Sequence, residues 1–255
     1  MKEERTDNKI LVFGGTSDSR ELLEALLAQD IQVHDCVATD YGGAMLRAQK
    51  GLTLQVGRLA LQGMVELMRG GNFACVVDAT HPYATEATEN IRQAAQDCAL
   101  PYYRLLREEG REQPDWLLES TAEAVKWLAT HPGRIFLTTG SRELAAFTAL
   151  PDFAERIYLR ILPDADSLLQ AEELGYQRAH MVAMQGPFSQ ELNREMMRSF
   201  AIDILVSKDG GARGGYEQKI RAARELGIAS VVIARPPDEG WPIHALLQVL
   251  LRRYG

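Results

Sequence analysis

The sequence predicts an α/β protein of two lobes, each built on a parallel sheet with helices on both faces. Short apolar runs that are typical of buried strands alternate with amphipathic segments at helical spacing along most of the chain. Polar, glycine-rich turns follow many of these strand-like runs. Because the carboxyl ends of parallel strands meet at one edge of a sheet, the turns predict a ligand cleft shared by the two lobes.

Composition narrows the classes of protein. The chain has 255 residues, of which 46% are hydrophobic and 25% are charged, enough for one large core or two modest ones. It contains no apolar run of membrane-spanning length, and its start, MKEERTDNK, has no apolar stretch, so we expect no membrane association and a cytoplasmic location. The formal net charge of −7 argues against nucleic acid as a partner, because phosphate backbones are bound chiefly by excess Lys and Arg.

The cysteines predict neither a disulfide framework nor a metal centre. Cys36, Cys75 and Cys98 are odd in number and lack C-x-x-C spacing, and the first two lie inside apolar, strand-like runs. We interpret them as buried thiols and predict no metal site.

The first predicted lobe covers residues 8–112. Its apolar runs are short and continuous, as expected of strands covered on both faces. The predicted strands lie at 10–13, 33–38, 52–56, 75–79 and 102–105. The predicted helices lie at 21–28, 44–49, 61–68 and 87–98.

The second predicted lobe covers residues 113–255, after a break around Pro114. The same alternation resumes there. The predicted strands lie at 135–137, 156–160, 181–184, 204–206 and 231–233. The predicted helices lie at 121–130, 167–174, 190–200, 217–226 and 243–253.

The turn after the first strand is suited to bind phosphate. In KILVFGGTSDSRELLEALL, residues 9–27, an apolar run ends at Gly14 and Gly15 and a helical pattern begins directly after Thr16 and Ser17. The glycines allow a tight turn and close approach of a ligand, and a capped helix start attracts anions. The spelling departs from the G-x-G-x-x-G of Rossmann folds, so a capped turn that binds nothing remains an alternative. On this basis the lobes are predicted to be Rossmann-like.

Five further turns carry glycines, hydroxyls or charges where a predicted strand ends. They are 39–42 (TDYG), 57–58 (GR), 78–84 (DATHPYA), 138–142 (TTGSR) and 185–189 (QGPFS). A seventh turn, 207–215 (SKDGGARGG), has the highest glycine content. A structural protein rarely needs so many glycines and hydroxyls at one edge, so these turns predict a binding cleft.

Taken in order, these segments resemble the precorrin-6A reductase and cobalt-precorrin-6A reductase family of cobalamin (vitamin B12) biosynthesis. The segments that carry the resemblance are GGTSDSREL, ATDYG, VGRL, DATHPYA with Asn90, LTTGSREL with Phe147, QGPFS and SKDGGARGGYEQK. The resemblance implies a two-lobed oxidoreductase of the porphyrin and corrin pathways. Such an enzyme binds NADH or NADPH between its lobes and reduces a ring D carbon–carbon double bond of a precorrin or its cobalt form. It further implies transient contacts with neighbouring enzymes of the pathway.

Several residues are suited to bind the cofactor that this resemblance implies. Gly14, Gly15, Thr16 and Ser17 are expected to hold the pyrophosphate, with Arg20 one helical turn further on. The other predicted cofactor-binding residues are Thr39, Asp40, Gly57, Arg58, Thr80, His81, Thr138, Thr139, Gly140 and Ser141. The last four repeat the small-residue turn of the first lobe and are equally suited to a substrate carboxylate or to a simple helix cap.

Cofactor choice is predicted to lean slightly towards NADH. Asp40 lies where a dinucleotide fold places the acid that accepts hydrogen bonds from ribose hydroxyls. Arg47 and Arg58 are the alternative, since either could meet a 2′-phosphate, and all three residues could equally be solvated surface charges.

Reduction also needs a proton donor. Tyr41, His81, Lys208 and Asp209 are the candidates, together with a bound water. His81 is equally suited to fix its turn by hydrogen bonding, with Pro82 at the first position of the next helix. Asp78 is interpreted as a carboxylate that organises its loop.

The glycine-rich segment 207–219 is predicted to be a mobile, basic loop on the substrate side, suited to a polycarboxylate corrinoid precursor. The predicted substrate-binding residues are Tyr41, Gln185, Ser207, Lys208, Gly210, Gly211, Arg213 and Lys219.

Two other functions remain open from the sequence. A cofactor-free tetrapyrrole synthase would share two α/β lobes and a basic cleft, but it has no use for the turn at Gly14 or for Asp40. A non-catalytic NAD(P) sensor would keep the first-lobe turns without a second basic glycine loop.

Overall fold

A computed structural model describes residues 9–38, 49–211 and 214–255. The chain divides into two compact units. The first contains the described residues up to Arg107 together with Pro236–Gly255, and the second is Glu108–Arg235.

The first unit is a six-stranded parallel sheet between two layers of helices. Its strands are β1 (Lys9–Phe13), β2 (Val33–Val37), β3 (Leu52–Val56), β4 (Phe73–Asp78), β5 (Tyr102–Leu106) and β12 (Trp241–Pro242), in the spatial order β12-β5-β4-β1-β2-β3. Its helices are α1 (Ser17–Leu27), α2 (Leu61–Gly70), α3 (Thr85–Asp97) and α10 (Ile243–Tyr254). One apolar core joins the sheet to α1 and α10, and another joins it to α2 and α3.

The second unit repeats this architecture. Its strands are β6 (Trp116–Leu118), β7 (Ile135–Leu137), β8 (Ile157–Ile161), β9 (Met181–Ala183), β10 (Ile204–Lys208) and β11 (Ala229–Ile233), in the order β6-β11-β10-β7-β8-β9. Its helices are α4 (Thr121–Thr130), α5 (Leu144–Phe147), α6 (Phe153–Arg156), α7 (Ala165–Glu173), α8 (Gln190–Ser199) and α9 (Tyr216–Glu225), with a 3₁₀ turn at Arg178–His180. The parallel α/β class predicted from the alternating pattern is confirmed. None of the helices within the described residues is long and apolar enough to cross a bilayer.

The edge strands β6 and β12 do not pair with the strands that precede them in the sequence. β6 follows β5 in sequence but pairs with β11, and β12 follows β11 but pairs with β5. The units therefore differ from the predicted extents of 8–112 and 113–255, because Pro236–Gly255 belongs to the first unit. The physical reason is that β12 extends the first sheet while Leu246 and Leu250 of α10 are buried against α1.

Strand order places one switch point in each sheet. In the first sheet the chain moves from β1 outward through β2 and β3, then returns to the other side of β1 as β4. In the second sheet the same reversal lies between β7 and β10. The carboxyl ends of strands at such a reversal form the usual ligand crevice of open α/β sheets.

The buried thiols predicted in the first lobe are confirmed for Cys36 and Cys75, which lie within β2 and β4, whereas Cys98 is partly exposed.

Candidate functional site

The turn between β1 and α1 is held by a reciprocal cap. Thr16 is the N-cap of α1, and its Oγ1 accepts a hydrogen bond from the Ser19 N–H at 3.0 Å. The Thr16 N–H in turn donates to Ser19 Oγ at 3.0 Å. Thr16 Oγ1 also donates to the Ala79 carbonyl at 3.1 Å, which ties this turn to the turn after β4. The two turns of the first switch point are thus one connected structure, and of the two predicted caps, Thr16 and Ser17, the structure has Thr16.

Backbone donors in this turn fit an anion. Gly15 has a φ of +96°, and a Cβ built on it meets no atom of the described residues within 4 Å. The N–H groups of Gly15 and Ser17 have no hydrogen-bond acceptor among the described residues. Free N–H groups and the positive end of the α1 dipole, facing open space, are what a pyrophosphate requires.

A buried carboxyl group lies against the same turn. A Cβ on Gly14 would overlap the Asp35 carboxyl group, so glycine is required there by close packing. Asp35 is fully buried within β2, and neither carboxyl oxygen has a hydrogen-bond partner among the described residues. Burial raises the pKa of Asp35 to about 7.

An arginine in β5 organises the turn after β4. Arg104 is almost fully buried, and its Nη1 donates to Asp78 Oδ1 at 2.9 Å and to the Thr80 carbonyl at 3.1 Å. Its Nε donates to Asp238 Oδ2 at 2.8 Å. Asp78 also accepts from Thr80 Oγ1 at 2.7 Å and from the Tyr102 hydroxyl at 3.0 Å. Asp78 therefore organises the loop, as predicted.

His81 lies on this turn with an exposed side chain. Its Nδ1 accepts a long hydrogen bond from the Tyr83 N–H at 3.4 Å. The prediction that Pro82 begins the next helix is wrong, because α3 begins at Thr85. The Ala84 N–H bonds back to the His81 carbonyl at 2.8 Å and closes a separate turn first.

Of the remaining first-lobe candidates, some lie within the described residues and some lie outside them. Gly57, with a φ of +128°, bonds through its N–H to the Val37 carbonyl at 2.9 Å and so lies beside the end of β2, with the exposed Arg58 next to it. Arg20 is half-buried, and its guanidinium has no hydrogen bond to a described residue. The other candidates, Thr39, Asp40, Tyr41 and Arg47, lie outside the described residues.

The turn after β7 has the same character at the second switch point. Thr138 is anchored to β10, since its N–H and Oγ1 both donate to the Val206 carbonyl, at 2.8 and 3.0 Å. The N–H groups of Thr139, Gly140 and Ser141 have no acceptor among the described residues, and the Thr139 hydroxyl is buried without a partner there. Gly140 has a φ of +85° with open space around its Cβ position. This turn is a second set of unused donors, while Ser141 Oγ contacts Ser167 Oγ at 3.0 Å.

Two of the proton-donor candidates are engaged in ion pairs. Lys208 Nζ lies 2.6 Å from Glu143 Oε1, which places the ammonium next to the turn after β7. Asp209 pairs with Arg235 at 3.1 Å and accepts from the Gly211 N–H at 2.8 Å. The carboxylate of Asp209 thus holds the glycine turn in place.

The segment predicted as a mobile basic loop is shorter than expected. Lys219, which belonged both to this predicted loop and to the predicted helix 217–226, lies in the helix, because α9 begins at Tyr216, and its side chain is buried. Ser207 is fully buried in β10, and Gly210 and Gly211 form the turn that follows it. Gln185 is exposed after β9, and Arg213 lies outside the described residues.

Three buried, charged side chains within strands were not predicted as site residues from the sequence. Asp35 lies against the turn after β1, Arg104 bonds to the turn after β4, and Arg160 lies in β8. Each lies inside an apolar strand, and a single charge in such a run was the available signal.

Comparison with known proteins decides the family. The model of the precorrin-6x reductase family CbiJ/CobK matches residues 9–251. The chain belongs to this family.

Similar proteins agree along nearly the whole chain. A cobalt-precorrin-6A reductase of Priestia megaterium is 32% identical over 243 residues, 94% of this chain and 95% of the relative. One of Salmonella typhimurium is 33% identical over 90% of this chain and 88% of the relative. A precorrin-6A reductase of a Sinorhizobium species is 31% identical over 89% and 85%. The solved structure of a CobK precorrin-6A reductase superposes with a TM-score of 0.79 at 27% identity, covering 96% of this chain and 97% of that one.

Proposed function

We propose that this protein is an NAD(P)H-dependent reductase of precorrin-6A or cobalt-precorrin-6A. It reduces a ring D carbon–carbon double bond and gives the dihydro (6B) product in cobalamin biosynthesis. The observation that carries the proposal is the open turn around Gly15, with unused N–H groups at a switch point, in a chain of the precorrin-6x reductase family. We place the reaction in the cytoplasm, with transient contacts to neighbouring pathway enzymes.

The first unit holds the nicotinamide dinucleotide in this proposal. Gly15, Thr16 and Ser17 offer the backbone donors, and the hydrogen bond from Thr16 to the Ala79 carbonyl holds the turns after β1 and β4 together. Arg20 and Arg58 add positive charge. The second turn, 138–141, supplies further donors for the cofactor or for a substrate carboxylate.

The cofactor, when bound, supplies hydride to one carbon of the double bond. The protein orients the two planar partners, keeps water out and delivers a proton to the neighbouring carbon. Among the proton-donor candidates, His81 is exposed on a switch-point turn, whereas Lys208 and Asp209 are held in ion pairs. His81 and Tyr41 are therefore the first positions to vary.

The substrate side is assigned to the second unit. Lys208 is the last residue of β10, directly before the turn that contains Gly210 and Gly211, and its charge suits a polycarboxylate. Gln185, Ser207 and Arg213 complete the predicted set, together with Lys219.

Cofactor preference is tested at Asp40. A carboxylate near the adenosine ribose accepts hydrogen bonds from its free hydroxyls and repels a 2′-phosphate. We expect Asp40→Ala to weaken the use of NADH and to shift the ratio of the two kcat/KM values towards NADPH by about tenfold or more. An unchanged ratio would assign Asp40 to the surface and leave Arg58 to be tested for a 2′-phosphate contact.

The proposal as a whole is tested by anaerobic incubation with precorrin-6A and with its cobalt form, each with NADH, NADPH or neither. We expect the absorption spectrum to change only when a dinucleotide is present, and the better substrate to identify the natural one. Change without dinucleotide would favour a cofactor-free tetrapyrrole enzyme. Quenching of tryptophan fluorescence by dinucleotide, with no turnover of either form, would favour a sensor.

A further inference from the structure

Two cationic side chains in the second unit are almost completely buried. Arg160 is the fourth residue of β8 and Lys219 lies in the first half of α9, and each residue is 7% exposed. Neither side chain forms an ion pair with a described residue. Burying unpaired charges is costly, and because the unpaired nitrogen atoms of the two side chains are not completely enclosed, an anion could reach them and offset that cost.

Arg160 is held in a fixed orientation. Its guanidinium carbon lies 3.9 Å from the centroid of the Phe188 ring, and its Nη1 donates to Asn193 Oδ1 at 2.8 Å. The other end groups, Nε and Nη2, have no acceptor among the described residues. Ring stacking therefore positions the guanidinium while donors remain for a ligand.

The charges around Lys219 are unbalanced. Burial first, and then the nearby Arg160, lower the pKa of Lys219 to about 7, while Asp209 acts in the opposite direction. Asp209 is already bonded to Arg235 and to the Gly211 N–H. Asp209 is thus already engaged by other groups, and neither cation has an ion-pair partner among the described residues.

The pair lies next to the glycine turn that follows β10. Lys219 is in the helix that starts at the end of this turn, and the Phe188 N lies 3.7 Å from the position of a Cβ built on Gly215. Arg160 lies near the carboxyl end of its strand, the end at which ligands bind in parallel sheets.

We propose that Arg160 and Lys219 together bind one carboxylate of the substrate. The guanidinium presents planar donors, the ammonium adds a point charge, and an anion between them removes their mutual repulsion. This inference rests on the proposed function only for its ligand, a polycarboxylated macrocycle. Lys219 was predicted to bind substrate from its sequence position, and Arg160 and its stacking partner Phe188 are new to the site.

The test uses Lys219→Met and Arg160→Gln, with Lys126→Met as the control. Methionine replaces the buried ammonium with a thioether of similar length, so we expect Lys219→Met to fold at least as well as the wild type. Lys126 is exposed on α4, and its replacement removes the same charge away from the pair.

Steady-state kinetics with precorrin-6A should show a KM raised by about tenfold or more in Lys219→Met and Arg160→Gln, the factor that a charge-assisted hydrogen bond supplies. The dissociation constant for the dinucleotide should stay unchanged, and Lys126→Met should match the wild type. Folded Lys219→Met with an unchanged KM would overturn the proposal and make the pair structural, whether or not Arg160→Gln folds.

A second measurement does not depend on turnover. Calorimetric titration with uroporphyrin, a stable tetrapyrrole polycarboxylate, in buffers of different ionisation enthalpy reports proton uptake. An anion beside Lys219 favours its charged form, so the wild type should take up a proton on binding at pH 8 and Lys219→Met should not. Equal affinity and equal proton uptake in both proteins would contradict the carboxylate site, even if precorrin-6A proved not to be the substrate.

Discussion

At the scale of single residues, Gly15 shows how a missing side chain serves a ligand. Its φ of +96° is strained for any residue with a Cβ, yet no atom of the described residues lies in the space that the Cβ would enter. The backbone conformation accounts for the glycine, and the open space is where the proposed phosphate would approach. Gly227 offers a matched case in the turn before β11, with a φ of +68° and equally open space.

We expect Gly15→Val and Gly227→Val to destabilise the fold by a similar amount, about 1–2 kcal/mol for a side chain in the left-handed region. Only Gly15→Val should lose dinucleotide affinity, by more than about tenfold, because a branched side chain blocks backbone hydrogen bonds to the pyrophosphate. Fluorescence titration with NADH and NADPH, together with thermal unfolding, checks both expectations. Equal affinity in the two variants would remove the phosphate site from this turn.

Asp35 is the second informative residue. Its pKa is about 7 in the folded protein and 3.8 in the absence of burial, so the unfolded chain ionises first as the pH rises. The folded state therefore loses stability between about pH 4 and pH 7, by at most about 4 kcal/mol at 1.4 kcal/mol per pKa unit.

Asp35→Asn should remove this part of the pH dependence. Urea unfolding between pH 5 and pH 8 should show a smaller loss of stability in the variant than in the wild type. Glu24→Gln, at an exposed position of α1, is the control and should keep the wild-type slope. Parallel curves for Asp35→Asn and the wild type would show that Asp35 is already ionised in the folded protein.

At the scale of elements, the turn after β4 depends on a segment far away in the sequence. Asp238 comes from the chain that returns to the first unit, and it holds Arg104 from the side opposite Asp78. A Cβ on Gly240 would overlap Arg104, so the returning segment packs closely there. The loop that carries Thr80 and His81 is positioned by this arrangement.

Asp238→Asn should weaken the hydrogen-bond network around Arg104 without removing it. We expect a loss of about 1–3 kcal/mol in the free energy of unfolding, the range for a hydrogen bond to a charged group. Dinucleotide affinity should fall as well, since Arg104 also bonds to Thr80. Glu239→Gln changes the exposed neighbour and should alter neither quantity. If Asp238→Asn is destabilised but binds dinucleotide with wild-type affinity, the hydrogen bonds around Arg104 do not contribute to cofactor binding.

Most elements could be predicted from periodicity, because buried parallel strands and amphipathic helices have distinct spacings. The cap of α1 was predicted at Thr16 or Ser17, because a hydroxyl at a helix start is a local signal, and the structure selects Thr16. β12 was missed because two residues are too few for a pattern. β6 was missed because it directly follows the predicted break at Pro114 and two of its three residues are exposed. Lys219 was placed in a loop because charge suggests exposure, whereas the structure buries it beside Arg160.

At the scale of the whole molecule, the two units have the same strand order. β6 follows the strands of the first sheet in sequence but belongs to the second sheet, and β12 follows the strands of the second sheet but belongs to the first. Sequence alone could not show this, because a two-residue strand carries no information about its partner. This arrangement makes the first unit discontinuous, since Leu246 and Leu250 fill a core otherwise built from the first 107 residues.

Because the first unit is discontinuous in sequence, we expect fragments of the two units to differ in their ability to fold alone. Residues 108–235 contain a complete six-stranded sheet and should unfold cooperatively when produced alone. Residues 1–107 should not, unless a peptide of residues 236–255 is added to supply β12 and α10. Circular dichroism and hydrogen exchange would measure both, and a stable 1–107 fragment without the peptide would contradict the prediction.

The central claim is that this chain transfers hydride to a precorrin ring from a nicotinamide dinucleotide whose pyrophosphate is held at the Gly15 turn. Mass spectrometry of the product, formed anaerobically from precorrin-6A or its cobalt form with dinucleotide deuterated on the transferred side, tests it most directly. The account predicts one deuterium in the product from the wild type, a second hydrogen from solvent, and much less product from Gly15→Val when the dinucleotide is below saturation. Product without deuterium, or equal product from Gly15→Val, would contradict it.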